Sequence, residues 1–427
     1  SHWSEHIGNL IEQVNSQNPQ VRQDATLRLR KLYEIQGLTQ QESEDFAEAL
    51  WSKCDSDQEL PSGFTENFPK LIFLHLPEQQ AGQAKTILRQ SILSQEIPKI
   101  YKSRGKLSSF DINHNLNFFS EVFKTTSPLL NSNDNNLEKY IDWQKEEAIQ
   151  LLHKISNWWK EEKDFIIQGL QTSVQPRFIM DELEQKIRTN ILLIVKVLTR
   201  VILPKLGESQ EVENNEEVKQ LLSDFENETE IPVYSALPMT LLFDSGTDAE
   251  TIAHKFRYGI SSRQQQDAKE SIEGLFLWLF YGNAGKIDLP PNDLIEELIN
   301  KVAYRRQPAI NIAISHISVI VERLPEILNH QQLKTLCTGL EYLIEDTSLP
   351  NNLWDLEVEL ESRNESNRII SIDELPEYRK SCTKLAYQLY VYYQKQGEVI
   401  PEVLNRWKEI SAQDPLPEVK RAWGKLS

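Results

Sequence analysis

The spacing of the apolar residues constrains this chain more than any other feature, because it is helical almost everywhere. Val21, Ala25, Leu29 and Leu32 fall three or four residues apart and form one stripe. Residues at that spacing lie on a single face of an α-helix. Between Tyr140 and Leu170, Ile141, Ala148, Leu152, Ile155, Trp159 and Ile166 recur among Lys, Glu and Gln, which predicts one or two long amphipathic helices. Leu183, Ile187, Ile191, Ile194 and Leu198 continue the pattern into a more apolar helix. Two-residue alternation is rare. Its best instance is Met239 to Phe243, which reads equally well as extended loop. Glycine supports the same class. Only 15 of 427 residues are glycine, about half the usual frequency of roughly 7%. Folds built on glycine-rich turns are disfavoured, and an all-α chain is expected.

Polar breaks divide the helical pattern. Thr125 to Asn136 contains Ser-Pro and an Asn-rich run, and Gly207 to Glu217 is polar and acidic. Asn283 to Asn292 holds two glycines and Pro290-Pro291, and shorter breaks fall at Ser348 to Asn352 and Ser362 to Ser366. Soft boundaries near 130 and 230 give three predicted segments: 1–130 with helical pairs, 131–230 with longer helices and an acidic loop near 207–217, and 231–427 with further helical pairs.

Several helix openings share a pattern. Asn18-Pro19-Gln20-Val21-Arg22 precedes Asp24-Ala25 and then Leu29, Leu32 and Tyr33. Asp267-Ala268 is followed by Ile272, Leu275 and Phe276 at matching offsets. Leu416-Pro417-Glu418-Val419-Lys420 repeats the Pro-x-Val-basic order, and Arg306-Gln307-Pro308 is expected to start a helix carrying Ile310, Ile314 and Ile317. Proline suits the first helical turn, where its missing N–H is not needed. A small residue such as Ala25 or Ala268 lets a neighbouring helix approach closely. On these residues the chain resembles HEAT-type helical repeats, most specifically over 16–36 and also over 247–325 and 398–426. The resemblance implies irregular HEAT-like helix pairs stacked into an arc or superhelix, with a concave binding surface and no intrinsic catalysis. More loosely, the chain resembles the C-terminal helical sensor regions of large bacterial anti-phage defence proteins, which implies an effector domain elsewhere.

Charge narrows the partners. With 46 Lys and Arg against 64 Asp and Glu, the net charge is −18. That opposes a dominant nucleic-acid role and adsorption to anionic membranes. Cys54, Cys337 and Cys382 are far apart and odd in number, with no disulfide framework or zinc spacing, which fits a reducing cytoplasm. The longest apolar stretch, Ile191 to Leu203, is interrupted by Lys196, Thr199 and Arg200, so no membrane span is expected. The opening Ser1-His2-Trp3 reads as a cloning or protease scar on a fragment of a larger protein.

No phosphate-loop or dinucleotide fingerprint occurs, and no histidine pair has metal-ligand spacing. No catalytic residue, cofactor or metal is therefore assigned. His316, within an apolar helix, reads as a core or boundary residue. Phe243-Asp244-Ser245-Gly246-Thr247-Asp248 is the most enzyme-like string, since an aspartate after an apolar run can act as nucleophile or metal ligand. Thr247 with Glu250 fits a capping box better.

Binding candidates are clearer. Lys255, Arg257, Tyr258 and Arg263 interleave cations with an aromatic ring, and Tyr304, Arg305 and Arg306 form a second such cluster. Such strips can track a nucleic-acid backbone while rings stack on bases. They are also ordinary solvated helix edges. Arg22, Arg28, Arg30 and Lys31 form a third basic group. Trp158 and Trp159 point about 100° apart on a helix, so Trp158 is a candidate for a groove or interface while both also suit a core. The expected function is a non-catalytic scaffold that binds a protein partner, as the sensing or regulatory region of a larger defence protein. The alternative is a nucleic-acid-binding helical array using the basic and aromatic strips.

Overall fold

The computed structural model describes residues 2–52, 75–97, 143–171, 216–227, 248–283, 287–348 and 374–424, with isolated positions between them. Among the described residues there are fourteen α-helices and no strand. In chain order they are α1 His2–Gln13, α2 Pro19–Glu34, α3 Gln40–Trp51, α4 Glu78–Ser94, α5 Lys145–Gln171, α6 Glu216–Asn227 and α7 Ala249–Ile260. Then follow α8 Gln265–Asn283, α9 Asn292–Ala303, α10 Ile310–Arg323, α11 His330–Asp346, α12 Leu375–Gln396, α13 Glu402–Ala412 and α14 Pro417–Arg421. The chain is all-α. The stretch Met239 to Phe243, the segment around Asp244 and both soft boundaries lie outside the described residues.

Local chemistry sets the helix starts. Asn18 accepts the N–H of Gln20 at 3.0 Å ahead of Pro19, the first residue of α2. Thr39 with Glu42 and Asn329 with Gln332 form capping boxes, each satisfying two otherwise orphaned N–H groups. The cap of α7 corrects the sequence reading by one residue: Asp248, not Thr247, accepts the N–H of Glu250, at 3.1 Å. Asp248 has the extended backbone that a cap requires, with φ −88° and ψ 127°. Pro308 is also corrected. It precedes α10, joined to Gln307 by a cis peptide, and the helix begins after Ala309, whose φ is 66°. The long pattern after Tyr140 resolves into one helix, α5, of 27 residues.

Helices α7 to α14 pack in two layers. In the first, α7, α9, α11 and α13 lie side by side, and in the second, α8, α10, α12 and α14 do. Each first-layer helix also rests on the second layer through α7–α8, α9–α10, α11–α12 and α13–α14. The first-layer helices run parallel. Lys301 near the end of α9 donates to the carbonyl of Ile260 at the end of α7, and Arg305 just beyond α9 meets Asp346 at the end of α11. Gly339 permits a close approach here, because a Cβ on it would lie 2.9 Å from the Cα of Ala303.

The stripe residues fill the seams. Ala25, Leu29, Ala268, Ile272, Leu275, Phe276, Ile310, Ile314 and Ile317 are all buried. Phe256 and Trp278 meet at 5.5 Å between ring centroids, and the Trp407 indole donates to the Leu340 carbonyl at 3.0 Å. His316 is buried as expected, edge-on to Phe276 at 4.6 Å. Elsewhere α1 packs on α2 and α3, and α5 packs on α4 and α6. In the α5–α6 seam, buried Trp159 donates to Asp224 at 3.0 Å and Lys163 pairs with the same carboxylate at 3.2 Å. Cys337 and Cys382 are buried and unbridged, and Cys54 lies outside the described residues. No described helix is long and apolar enough to cross a membrane.

Candidate functional site: an aromatic edge on three parallel helices

The parallel first layer brings the C-terminal ends of α7, α9 and α11 to one edge, and exposed aromatics collect there. Tyr258 lies in the last turn of α7 and is 73% exposed. Tyr304 caps the end of α9 at 64%, and Tyr342 in the final turns of α11 is at 53%. Large exposed rings are unusual on a solvated face. At protein interfaces they are enriched, since a ring buries much apolar area for little lost side-chain freedom.

Arginines order two of these rings. The Arg305 guanidinium lies 4.8 Å from the Tyr342 centroid and is anchored on both oxygens of Asp346, at 2.9 and 3.0 Å. Its backbone is left-handed, with φ 51°, which turns the chain sharply out of α9. The Arg306 guanidinium lies 5.1 Å from the Tyr304 centroid and 4.0 Å from Glu297. Stacking holds each ring in a restricted set of rotamers.

The cations of the predicted strips are largely committed. Arg257 donates to Asp293 at 2.5 and 3.1 Å and to Glu250 at 2.6 Å. Hydrogen bonds to those carboxylates raise the Arg257 pKa, and the bond from Arg257 lowers that of Asp293. Lys255 and Arg263 are exposed. A phosphate backbone would have to compete with Asp293, Glu250, Asp346 and Glu297 for the three arginines. The edge is therefore a mixed-charge aromatic surface and not a cationic groove.

The structure thus gathers Tyr258, Arg263, Tyr304, Arg305 and Arg306 at the ends of neighbouring helices. It removes Trp158 from consideration as a surface anchor, because that side chain is buried with its ring 6.3 Å from Trp159. In the third basic group, Arg22 turns back to the carbonyl of Ser16 at 3.1 Å. Tyr342 was missing from the sequence reading. It has no cation beside it in the chain, and Arg305 reaches it from a different helix end. Among the described residues, no group of three or more His, Cys, Asp or Glu is placed to hold a metal ion.

No protein-family model matches the chain, and no curated protein matches it. Among solved structures, a crystal structure of an engineered protein from the Northeast Structural Genomics Consortium aligns over 98% of this chain and 97% of its own, at 12% identity and a TM-score of 0.24. A likeness of that size carries nothing about fold or function.

Proposed function

We propose that this chain is a non-catalytic scaffold that binds a protein partner along the edge formed by Tyr258, Tyr304, Arg306 and Tyr342. The observation that carries this reading is the exposure of three tyrosines at the ends of three parallel, adjacent helices, two of them stacked under arginine. Rigid helices fix the spacing of the rings, so a partner meets a pre-ordered set of anchors and loses little entropy on docking. The rings supply contact area and the guanidinium planes supply directional donors. A regulatory place within a larger defence protein rests on the sequence resemblance alone.

Nucleic-acid binding is the reading to be separated from this one. Affinity for a nucleic acid falls steeply with salt, in proportion to the phosphates contacted. A protein complex anchored on rings with paired arginines has a shallow salt dependence. The test is to titrate the fluorescein-labelled chain with single- and double-stranded DNA and RNA at 50 and 200 mM salt. The scaffold reading expects no saturable binding at either salt. Saturable binding that weakens a hundredfold or more over that range would replace it with the nucleic-acid reading.

A further inference from the structure

The three edge tyrosines share one phase on their helices. Two residues before each ring stands a buried apolar side chain: Phe256 before Tyr258, Val302 before Tyr304 and Leu340 before Tyr342. Positions two apart on an α-helix are about 200° apart around it, so each ring points away from the core. Helices α7, α9 and α11 are neighbours in turn, and packed helices lie about 8–10 Å apart. The rings therefore recur at about that interval, in a row that crosses the helices.

That interval selects among the shapes a partner can present. A β-strand returns a side chain to one side every two residues, about 6.7 Å, which falls out of step with the row. An α-helix returns one after seven residues, about 10.5 Å, but its apolar stripe is read by a groove, and these rings stand out from the surface, each more than half exposed. A polyproline II segment has three residues per turn and rises about 3.1 Å per residue, so every third side chain recurs at about 9.3 Å. The chemistry agrees with the spacing. Aromatic surfaces dock such segments, whose extended form is already ordered before binding. Arginine stacks on Tyr304 and on Tyr342, and both rings stay largely exposed, so a face of each is open. The polyproline II backbone makes no internal hydrogen bonds, and its carbonyls seek donors. The exposed tyrosine hydroxyls and the exposed Arg306 guanidinium, whose Glu297 partner lies 4.0 Å away, supply them. Arg257 and Arg305 are held by Asp293 and Asp346, so an uncharged segment suits the edge better than an acidic one.

We propose that the partner of this edge is a proline-rich segment in the polyproline II conformation, with a proline at every third residue set on Tyr258, Tyr304 and Tyr342 in turn. The inference rests on the reading of the edge as a protein-binding surface, and it adds the kind of chain that the surface takes.

Fluorescence anisotropy of labelled peptides against the full chain tests it. The first probe is a twelve-residue peptide of Pro, Ala and Gln with proline at every third position. The second is its composition-matched shuffle, in which the prolines do not recur every third residue. The third is an alanine-based helix with leucine at every seventh position. The first probe should bind saturably and the other two at least tenfold more weakly. Tyr258→Ala and Tyr304→Ala, each with an unchanged melting temperature, should weaken the first probe about tenfold, the size of a hot-spot truncation. Two variants on different helices keep the test usable if one fails to fold. No saturable binding of the first probe, equal binding of the shuffle, tighter binding of the helix, or binding that survives both variants overturns the proposal. If the chain retains a protein from lysate through these tyrosines and the first probe does not bind, the scaffold reading stands and the proline register is overturned.

Discussion

Arg379 on α12 donates through Nε to Asp414 Oδ2 at 3.0 Å, and through Nη1 to the carbonyl of Thr347 at 2.6 Å. The two side chains are almost fully buried, 8% and 1% exposed. Asp414 in turn accepts the N–H of Leu416 at 2.9 Å, at the start of α14. One guanidinium thus ties together the end of α11, the body of α12 and the turn between α13 and α14. A buried charge pair is a weak source of net stability, but removing one partner leaves the other uncompensated.

Arg379→Met should therefore destabilise the protein by about 3–5 kcal/mol, as expected for stranding Asp414 in the interior. Arg379→Met with Asp414→Leu should recover part of that loss, because the buried charge is gone while the Leu416 N–H and the Thr347 carbonyl lose their partners. Equilibrium denaturation in urea would show it as the lowest midpoint for the single variant and an intermediate one for the double.

Glycine substitutions should split by site. Gly8 and Gly82 lie inside exposed stretches of α1 and α4, with nothing near a built Cβ. Alanine there should stabilise by up to about 1 kcal/mol through helix propensity. Gly339→Ala gains the same propensity but drives a methyl into the α9 backbone at Ala303. Overpacking of about 1–3 kcal/mol should win. Thermal melts of the three variants against the parent give the signs directly.

The buried thiols make stability alkali-sensitive. Burial pushes Cys337 from 9.0 up to about 12 and raises Cys382 as well. The folded state then keeps protons that the unfolded chain sheds above pH 9. Their contribution is complete below pH 9 and is lost as pH rises toward 12. The melting temperature should fall progressively from pH 9 to pH 11. At pH 8, iodoacetamide should leave Cys337 and Cys382 unmodified until denaturant is added, as read by peptide mass spectrometry.

Residues on the aromatic edge should be dispensable for folding. Tyr258→Ala, Tyr304→Ala and Arg306→Ala each remove a largely exposed side chain. Each should change stability by no more than about 0.5 kcal/mol. A larger loss would place these residues among the groups that hold the array together.

Local signals were legible in the sequence. Asn18-Pro19 opens α2, Pro417 opens α14, and the Ala25 and Ala268 stripes are buried, because caps and helical periods depend on residues a few positions apart. What depended on tertiary neighbours was not. The sequence offered Arg257 as a member of a basic and aromatic strip, and it did not show that Asp293 from the next first-layer helix and Glu250 from two turns back pair with it. Trp158 suited either a groove or a core from its spacing, and the structure buries it. Thr247 and Asp248 are both competent cap types in the sequence, and it is Asp248 that accepts the Glu250 N–H with an extended backbone. Tyr342 and the contact of Gln36 with Glu418 join parts of the chain that no period links.

Binding through the aromatic edge is tested most directly by capture with nuclease-treated lysate, comparing the parent chain with a Tyr258→Ala, Tyr304→Ala, Arg306→Glu triple variant of matched melting temperature. The account predicts a protein that the parent retains at 200 mM salt and the variant loses at least tenfold, as quantified by mass spectrometry. Equal retention by parent and variant, or capture that nuclease abolishes, would contradict it.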